Sequence, residues 1–176
     1  GVQRGDTVSV IMENRIEFLA LLVGVNKIGV TAGLINTNLT GKPLMHCITV
    51  TQSKKCIFGS EISGALNEVK ADLELTEGED YFEVPALGQE PTTNWAKNLS
   101  AGAQEASEED PEGTGQTTLG EVALYIFTSG TTGLPKAAVL SNRRYLTSAD
   151  MAAKAGFKCS EQDRMYICLP LYHGTG

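Results

Sequence analysis

Short apolar runs alternate with helix-like segments over the first half of the chain. The runs carry the branched and aromatic residues of buried strands and cover residues 7–12, 30–35, 55–58 and 81–84. The segments between them have the apolar spacing of helices and cover residues 15–28, 40–52 and 60–71. This alternation predicts an α/β fold, a layered domain with a largely parallel sheet flanked by helices.

Polar residues stand where the predicted helices begin. Asn14 is of a type favoured at helix N-caps, and we expect it to cap the first helix, which is apolar on nearly all sides and therefore predicted to be buried. Thr40 precedes the second helix, whose first turn tolerates Pro43. Ser60 is the expected cap of the third.

The composition changes between residues 88 and 118, where Gly, Pro, Thr, Glu and Gln dominate and the acidic residues cluster. We expect a linker-like connection here, with a short helix around Trp95 and a mobile acidic loop after it. An acidic interaction segment is the alternative. The chain is thereby divided into a first α/β part (residues 1–87), the linker (88–118) and a third part (119–176).

The third part is predicted to return to alternating strands and helices. Apolar runs over residues 122–127 and 137–140 enclose a polar loop, and Ser141 or Asn142 is the expected cap of a helix that extends to about residue 155. A further strand is predicted over residues 164–169. Ligands of open α/β sheets bind at the carboxyl ends of parallel strands, so the loops after these strands could face one crevice.

The polar loop has the chemistry of a phosphate-binding loop. Gly130 and Gly133 allow backbone amides to turn toward a ligand, Pro135 stops a helix from consuming them, and Lys136 adds a cation. Further hydroxyl donors come from Thr128, Ser129, Thr131 and Thr132. A Walker A loop is excluded by the spacing of the two glycines, whereas a plain turn remains the alternative.

The net charge and the length of the apolar stretches limit the kinds of partner to be expected. The net charge of −7 and the lack of a basic patch argue against a nucleic-acid partner. The longest apolar stretch, residues 18–25, falls far short of the ~20 residues that a membrane-spanning helix needs.

The cysteines indicate neither a metal site nor a disulfide. Cys47, Cys56, Cys159 and Cys168 show no Cys-x-x-Cys spacing. The apolar neighbours of Cys56 and Cys168 are typical of buried thiols in a reducing compartment.

The loop sequence resembles the phosphate loop of the adenylate-forming (AMP-binding) superfamily, which contains acyl-CoA synthetases, luciferases and peptide-synthetase adenylation domains. In that superfamily a Ser-Gly-Thr-Thr-Gly-x-Pro-Lys loop holds the phosphates of ATP. The matching positions are Ser129, Gly130, Thr131, Thr132, Gly133, Pro135 and Lys136. The later segment Pro170, Leu171, Tyr172 and His173 resembles the Pro-Leu-aromatic-His segment of the members that act on fatty or aryl acids. The chain looks most like the branch of fatty acid transport proteins and very long-chain acyl-CoA synthetases.

This resemblance implies a long-chain or very long-chain fatty acid-CoA ligase that uses ATP, Mg²⁺ and coenzyme A. It implies catalytic roles for Thr131, Lys136 and His173, and a substrate-binding role for Tyr172 and His173. The implied nucleotide-binding residues are Tyr125, Ile126, Phe127, Thr128, Ser129, Gly130, Thr131, Thr132, Gly133, Leu134, Pro135 and Lys136.

The resemblance also implies that the chain is part of an amino-terminal domain. It lacks the Tyr-Gly-x-Thr-Glu and Thr-Gly-Asp segments of the superfamily, its hinge and its carboxyl-terminal domain, so we expect no turnover by these residues alone. The expected location is cytoplasmic, with peripheral membrane association of the intact protein. The alternatives are a fatty acid uptake protein, a non-catalytic nucleotide-binding scaffold, another acyl or aryl acid adenylating enzyme, and a plain structural module.

Overall fold

The computed structural model describes residues 1–128 and 133–174. The strands in these ranges are β1 (Thr7–Ile11), β2 (Thr31–Leu34), β3 (Lys55–Gly59), β4 (Tyr81–Val84), β5 (Lys97–Asn98), β6 (Val122–Thr128) and β7 (Lys136–Ser141). The α-helices are α1 (Ile16–Lys27), α2 (Gly41–Val50), α3 (Ser63–Val69), α4 (Leu99–Gln104) and α5 (Asn142–Met151). Short 3-10 turns at Ser60–Ile62 and Lys70–Asp72 flank α3, and a π-helical turn, Ala152–Gly156, extends α5.

The strands form one sheet in the order β5-β4-β3-β1-β2-β6-β7. Every neighbouring pair is parallel except β6 and β7, which form an antiparallel hairpin. The prediction of a largely parallel α/β sheet is therefore confirmed. Because β1, β2 and β6 are parallel neighbours, the segments that follow their carboxyl ends meet at one edge of the sheet.

Two apolar cores cover the two faces of the sheet. The first core lies under α1 and α4 and takes Val8 and Val10 from β1. The second lies under α2 and α3 and takes Ile11 from the same strand. All five residues of β1 are buried, as expected for a parallel strand covered on both faces. No helix in the described ranges is long and apolar enough to cross a bilayer.

The predicted strand over residues 164–169 is wrong. These residues have an irregular conformation, with Met165 59% and Tyr166 89% exposed. An extended segment needs a neighbouring strand to satisfy its backbone groups, and none of the described strands pairs with this one. The prediction of buried Cys168 fails for the same reason, since its side chain is exposed.

Three predictions of helix starts were wrong. Arg15, not Asn14, occupies the N-cap position of α1. Ser60 does not cap α3 because its hydroxyl donates to the Glu83 carboxylate at 2.5 Å. Trp95 lies outside any helix, and α4 begins four residues later, where the Asn98 side chain accepts from the amide of Ala101. The expected cap at Ser141 is confirmed by its bond with the amide of Arg144.

The start of the predicted linker is attached to the sheet. Trp95 packs on the second core, and β5 pairs with β4. The acidic residues beyond α4 are exposed, although Asp110 forms an ion pair with Lys27 of α1. The division of the chain at residues 88 and 118 stays a prediction.

Candidate functional site

The β6–β7 hairpin holds both ends of the predicted phosphate loop. Thr128, the last residue of β6, stands opposite Lys136, the first residue of β7, and its hydroxyl donates to the Lys136 carbonyl at 3.5 Å. Both side chains are exposed. The remaining predicted donors, Ser129, Gly130, Thr131 and Thr132, lie outside the described residues. Two residues whose side chains can bind phosphate, Thr128 and Lys136, are therefore paired across the hairpin.

The three residues before Thr128 fix the hairpin in the sheet. Ile126 is buried in the first core and Phe127 in the second, so the two side chains anchor β6 on both faces. Tyr125 is half-buried. On the other side of the loop, Gly133 and Leu134 are exposed. The implied contacts of these residues with a nucleotide stay predictions.

The His46 side chain of α2 contacts the loop, and nothing in the sequence predicts this contact. Its Nε2 atom lies 3.0 Å from the carbonyl oxygen of Pro135, and because a carbonyl only accepts, the ring nitrogen is the donor. The imidazole is half-buried. No local pattern could have revealed this pair, since the partners lie 89 residues apart.

Asn14 holds the second sequence motif, Pro170–His173, at the same edge of the sheet. The Asn14 Nδ2 atom donates to the carbonyl of Leu169 at 2.8 Å, and its Oδ1 atom accepts from the amide of Leu171 at 2.7 Å. Asn14 follows the end of β1. The side chain that the sequence predicted as a helix cap instead binds a segment 155 to 157 residues away.

Tyr172 and His173 follow this attachment and differ in exposure. Tyr172 is only 6% exposed and belongs to the first core, whereas His173 is exposed. Their ring centroids lie 4.9 Å apart. Asn38, in the loop after β2, donates from Nδ2 to the Tyr172 hydroxyl at 3.5 Å. The Tyr172 ring is therefore fixed, while the imidazole beside it is accessible.

The segment also reaches the strand that precedes the phosphate loop. A methyl group added at Gly174 would lie 3.5 Å from Cδ1 of Ile126 in β6. The residues that hold the segment come after β1 and β2, and β6 is the next strand in the sheet. Gly174 and Ile126 are 48 residues apart in sequence, and their contact brings the segment to the carboxyl edge of three adjacent parallel strands.

Side chains that can donate hydrogen bonds to an anionic ligand lie at this edge. Among the described residues, no carboxylate forms a salt bridge with Lys136. The described ranges also contain no group of three or more His, Cys, Asp or Glu side chains arranged to hold a metal ion. The donors visible here are the Lys136 ammonium and the accessible imidazole of His173, while the Thr128 hydroxyl is directed at the Lys136 carbonyl. Such donors bind phosphate and carboxylate oxygens.

Comparison with known proteins agrees with the family resemblance of the loop sequence and extends it over the whole chain. A family model described as AMP-binding enzyme matches residues 1–176. The long-chain fatty acid transport protein 1 of Bos taurus is 37% identical over an alignment of 183 positions, which covers 100% of this chain and 27% of that protein. The medium/long-chain-fatty-acid–CoA ligase FadD6 of Mycobacterium tuberculosis is 32% identical over 176 residues, 99% of this chain and 27% of that protein.

Solved structures show the same fold. The N-terminal domain of FACL13 from Mycobacterium tuberculosis superposes with a TM-score of 0.79 at 24% identity, covering 98% of this chain and 40% of that one. A long-chain-fatty-acid-CoA ligase, FadD1, from Archaeoglobus fulgidus has a TM-score of 0.79 at 23% identity, covering 98% and 32%. The chain spans about a quarter of the length of the curated relatives, 27% of the bovine protein.

Proposed function

The chain belongs to the AMP-binding enzyme family, and from that membership we propose that the intact protein is a long-chain or very long-chain fatty acid-CoA ligase. The observation that carries the proposal is the meeting of two motifs at one sheet edge. The hairpin with Thr128 and Lys136 lies beside the segment with Tyr172 and His173. The names of the relatives, fatty acid transport proteins and a fatty-acid–CoA ligase, support the choice of substrate.

The proposed reaction has two steps. A fatty acid carboxylate oxygen attacks the α-phosphorus of ATP, the bond to the bridging oxygen breaks, and pyrophosphate leaves with that electron pair. The sulfur of coenzyme A then attacks the acyl carbonyl, the thiol proton passes to solvent, and AMP leaves. Both steps develop negative charge on oxygen, which preorganised donors stabilise.

The described residues fit the phosphate end of ATP. Thr128 and Lys136 are paired across the hairpin with exposed side chains, and Gly133 is also exposed. We assign to Lys136 and Thr131 the stabilisation of the leaving pyrophosphate, with Thr131 assigned from the resemblance. Mg²⁺, held mainly by phosphate oxygens, would neutralise charge on the triphosphate.

The described residues also fit the carboxylate end of the fatty acid. The His173 imidazole is accessible, whereas the Tyr172 ring next to it is locked in the core. We therefore propose that His173 contacts the carboxylate and that Tyr172 forms the wall behind it. The thioester step with coenzyme A is proposed from the family alone.

A second candidate function is fatty acid uptake. The relatives named long-chain fatty acid transport proteins support it. Uptake and ligation are compatible, since forming the CoA thioester traps the acid as a charged, membrane-impermeant product. We further propose a cytoplasmic location, which the four free cysteines support because a reducing compartment keeps thiols unpaired, and peripheral membrane contact, which the relatives named fatty acid transport proteins support.

Fatty-acid-dependent exchange of labelled pyrophosphate into ATP by the intact protein tests the ligase. Lys136→Ala should lower the exchange rate by roughly 100-fold, as expected when one charge-stabilising donor is removed. Lys54→Ala is the matched control, because Lys54 is an exposed lysine just before β3, at the opposite edge of the sheet. Equal exchange rates for the two variants would refute the role of the loop, and absence of exchange in the wild type would refute the ligase.

Flotation with phospholipid vesicles tests membrane contact.

A further inference from the structure

We propose that Asn14 is a positioning residue for the fatty acid carboxylate, acting through the segment that carries Tyr172 and His173; this inference rests on the proposed function. The side-chain amide of Asn14 makes two hydrogen bonds with the backbone, one on each side of Pro170. One hydrogen bond goes to the carbonyl of Leu169 and one comes from the amide of Leu171, at 2.8 and 2.7 Å. Such a pair imitates the bonds that a neighbouring strand would make.

The segment needs this support because little else fixes its approach. The chain from Phe157 to Leu169 is largely exposed and forms no regular element. Hydrogen bonds to backbone groups on both sides of a proline restrict the position and the direction of the chain together. The residue that follows, Leu171, packs against the first core, and Tyr172 is buried in it. Asn14 is therefore the point at which an irregular segment is aligned with the sheet.

Asn14 is itself held in a fixed orientation. The carboxylate of Glu61, in the turn after β3, accepts from the amide of Glu13 at 2.8 Å and from the guanidinium of Arg15 at 2.6 Å. One carboxylate thus clamps the residues on either side of Asn14. Arg15 is also bonded to the carbonyl of Val84, at the end of β4. The clamp connects the ends of β1, β3 and β4, which are rigid parts of the sheet.

The position of the Glu61 carboxylate requires that residue 59 has no side chain. A methyl group at this position would lie 2.3 Å from both carboxylate oxygens of Glu61, so any larger residue displaces the carboxylate. Gly59→Ala therefore disturbs the orientation of Asn14 without changing Asn14 or the segment it binds. This gives a second, independent way to test the same chain of contacts.

Hydrogen exchange tests the contact without any assay of activity. In the intact protein, the amide of Leu171 should exchange at least about tenfold faster in Asn14→Ala than in the wild type, because its acceptor is lost. Gly59→Ala should accelerate it to a smaller extent. Asn67→Ala is the matched control, since Asn67 is exposed on α3 at the other face of the sheet. Unchanged exchange of Leu171 in Asn14→Ala would overturn the proposal.

Kinetics then separate positioning from general stability. Each lost hydrogen bond is worth a factor of roughly 2 to 12, so Asn14→Ala should raise the KM for fatty acid about tenfold and leave the KM for ATP unchanged. In a His173→Ala background the same substitution should have little further effect. A parallel rise in both KM values, or an equal effect in both backgrounds, would overturn the positioning role. Absence of fatty-acid-dependent exchange in the wild type would refute the ligase itself, and the exchange of Leu171 would still decide whether Asn14 holds the segment.

Discussion

Trp95 stacks on Phe58, with ring centroids 5.3 Å apart and ring planes inclined by 17°. Phe58 belongs to β3, and the edge of Tyr81 from β4 meets the same indole at 5.2 Å. The Lys70 ammonium lies 5.3 Å from the indole centroid. The indole thus attaches the segment after β4 to two strands and to the turn after α3. Residues 92–95 are therefore part of the folded layer, although their composition is typical of a linker.

Replacement of this indole should destabilise the protein. We expect Trp95→Ala to lower the free energy of unfolding by about 3 kcal/mol, since it removes a stacked aromatic and leaves a cavity. Trp95→Phe, which keeps the stacking, should cost less than half as much. Urea unfolding followed by circular dichroism gives both values. Equal losses for the two variants would mean that the stacking with Phe58 contributes little.

Glu83 should contribute stability that depends on pH. The carboxylate is fully buried and accepts from the Ser60 hydroxyl and from the amides and hydroxyls of Thr92 and Thr93, at 2.5 to 3.0 Å. Burial by itself raises the pKa of Glu83, but these hydrogen bonds outweigh it and the pKa lies below its usual range. Because the folded-state pKa is depressed, the stabilisation is present above the unfolded-state pKa of about 4.3 and is lost as the pH falls below it.

Glu83→Gln should therefore lower the free energy of unfolding at neutral pH by about 3 kcal/mol, as several hydrogen bonds to a charged acceptor are lost. Its stability should also fall less steeply between pH 5 and 3 than that of the wild type. Urea midpoints across this range check both points. Glu105→Gln, at an exposed position, is the control and should follow the wild type. Parallel pH curves for wild type and Glu83→Gln would contradict the expectation.

The four cysteines should divide into two classes of reactivity. Cys47 and Cys56 are buried, whereas Cys159 and Cys168 are exposed. Burial raises the pKa of the Cys47 thiol to about 12 and that of Cys56 further still, so neither forms thiolate at neutral pH. An aromatic disulfide reagent should label two thiols rapidly in the native protein and four in denaturant. The Cys159→Ser/Cys168→Ser variant should show no rapid phase, and rapid labelling of this variant would contradict the burial.

His46 should affect ATP binding through Pro135. Its Nε2 donates to the Pro135 carbonyl, one residue before the proposed phosphate-binding Lys136. If the intact protein is the proposed ligase, His46→Ala should raise the KM for ATP by a factor of roughly 2 to 12, the worth of one hydrogen bond. His46→Gln keeps a side-chain donor and should recover part of the loss. Initial-rate measurements of pyrophosphate exchange check this, and identical KM values for the two variants would speak against the hydrogen bond.

The local pattern of the chain was sufficient to predict most elements of the sheet. The alternation of strand and helix periods predicted β1 to β4, and the apolar runs on either side of the polar loop predicted the positions of β6 and β7, although not their antiparallel pairing. Periodicity and turn composition act over a few residues, so they are visible without the fold. The same local strings were enough to indicate the family, which the match over residues 1–176 confirms.

The tertiary structure decided the roles of the polar side chains. Asn14 has the sequence context of a helix cap, but it binds Leu169 and Leu171. His46 and Glu83 have no visible motif, and their partners are contributed by other elements. The tertiary structure also decided against the predicted strand over residues 164–169, since a strand forms only where a neighbouring strand completes its hydrogen bonds.

The sequence by itself therefore determined most of the elements and the residue types of the loop, because both depend on neighbouring residues. Only the fold decided that the carboxyl end of β6 and the segment around Tyr172 share one edge of the sheet. That juxtaposition depends on the order of strands β1, β2 and β6, and on an amide contact across 157 residues. Such contacts are selected by packing and hydrogen-bond satisfaction in three dimensions, which no local pattern encodes.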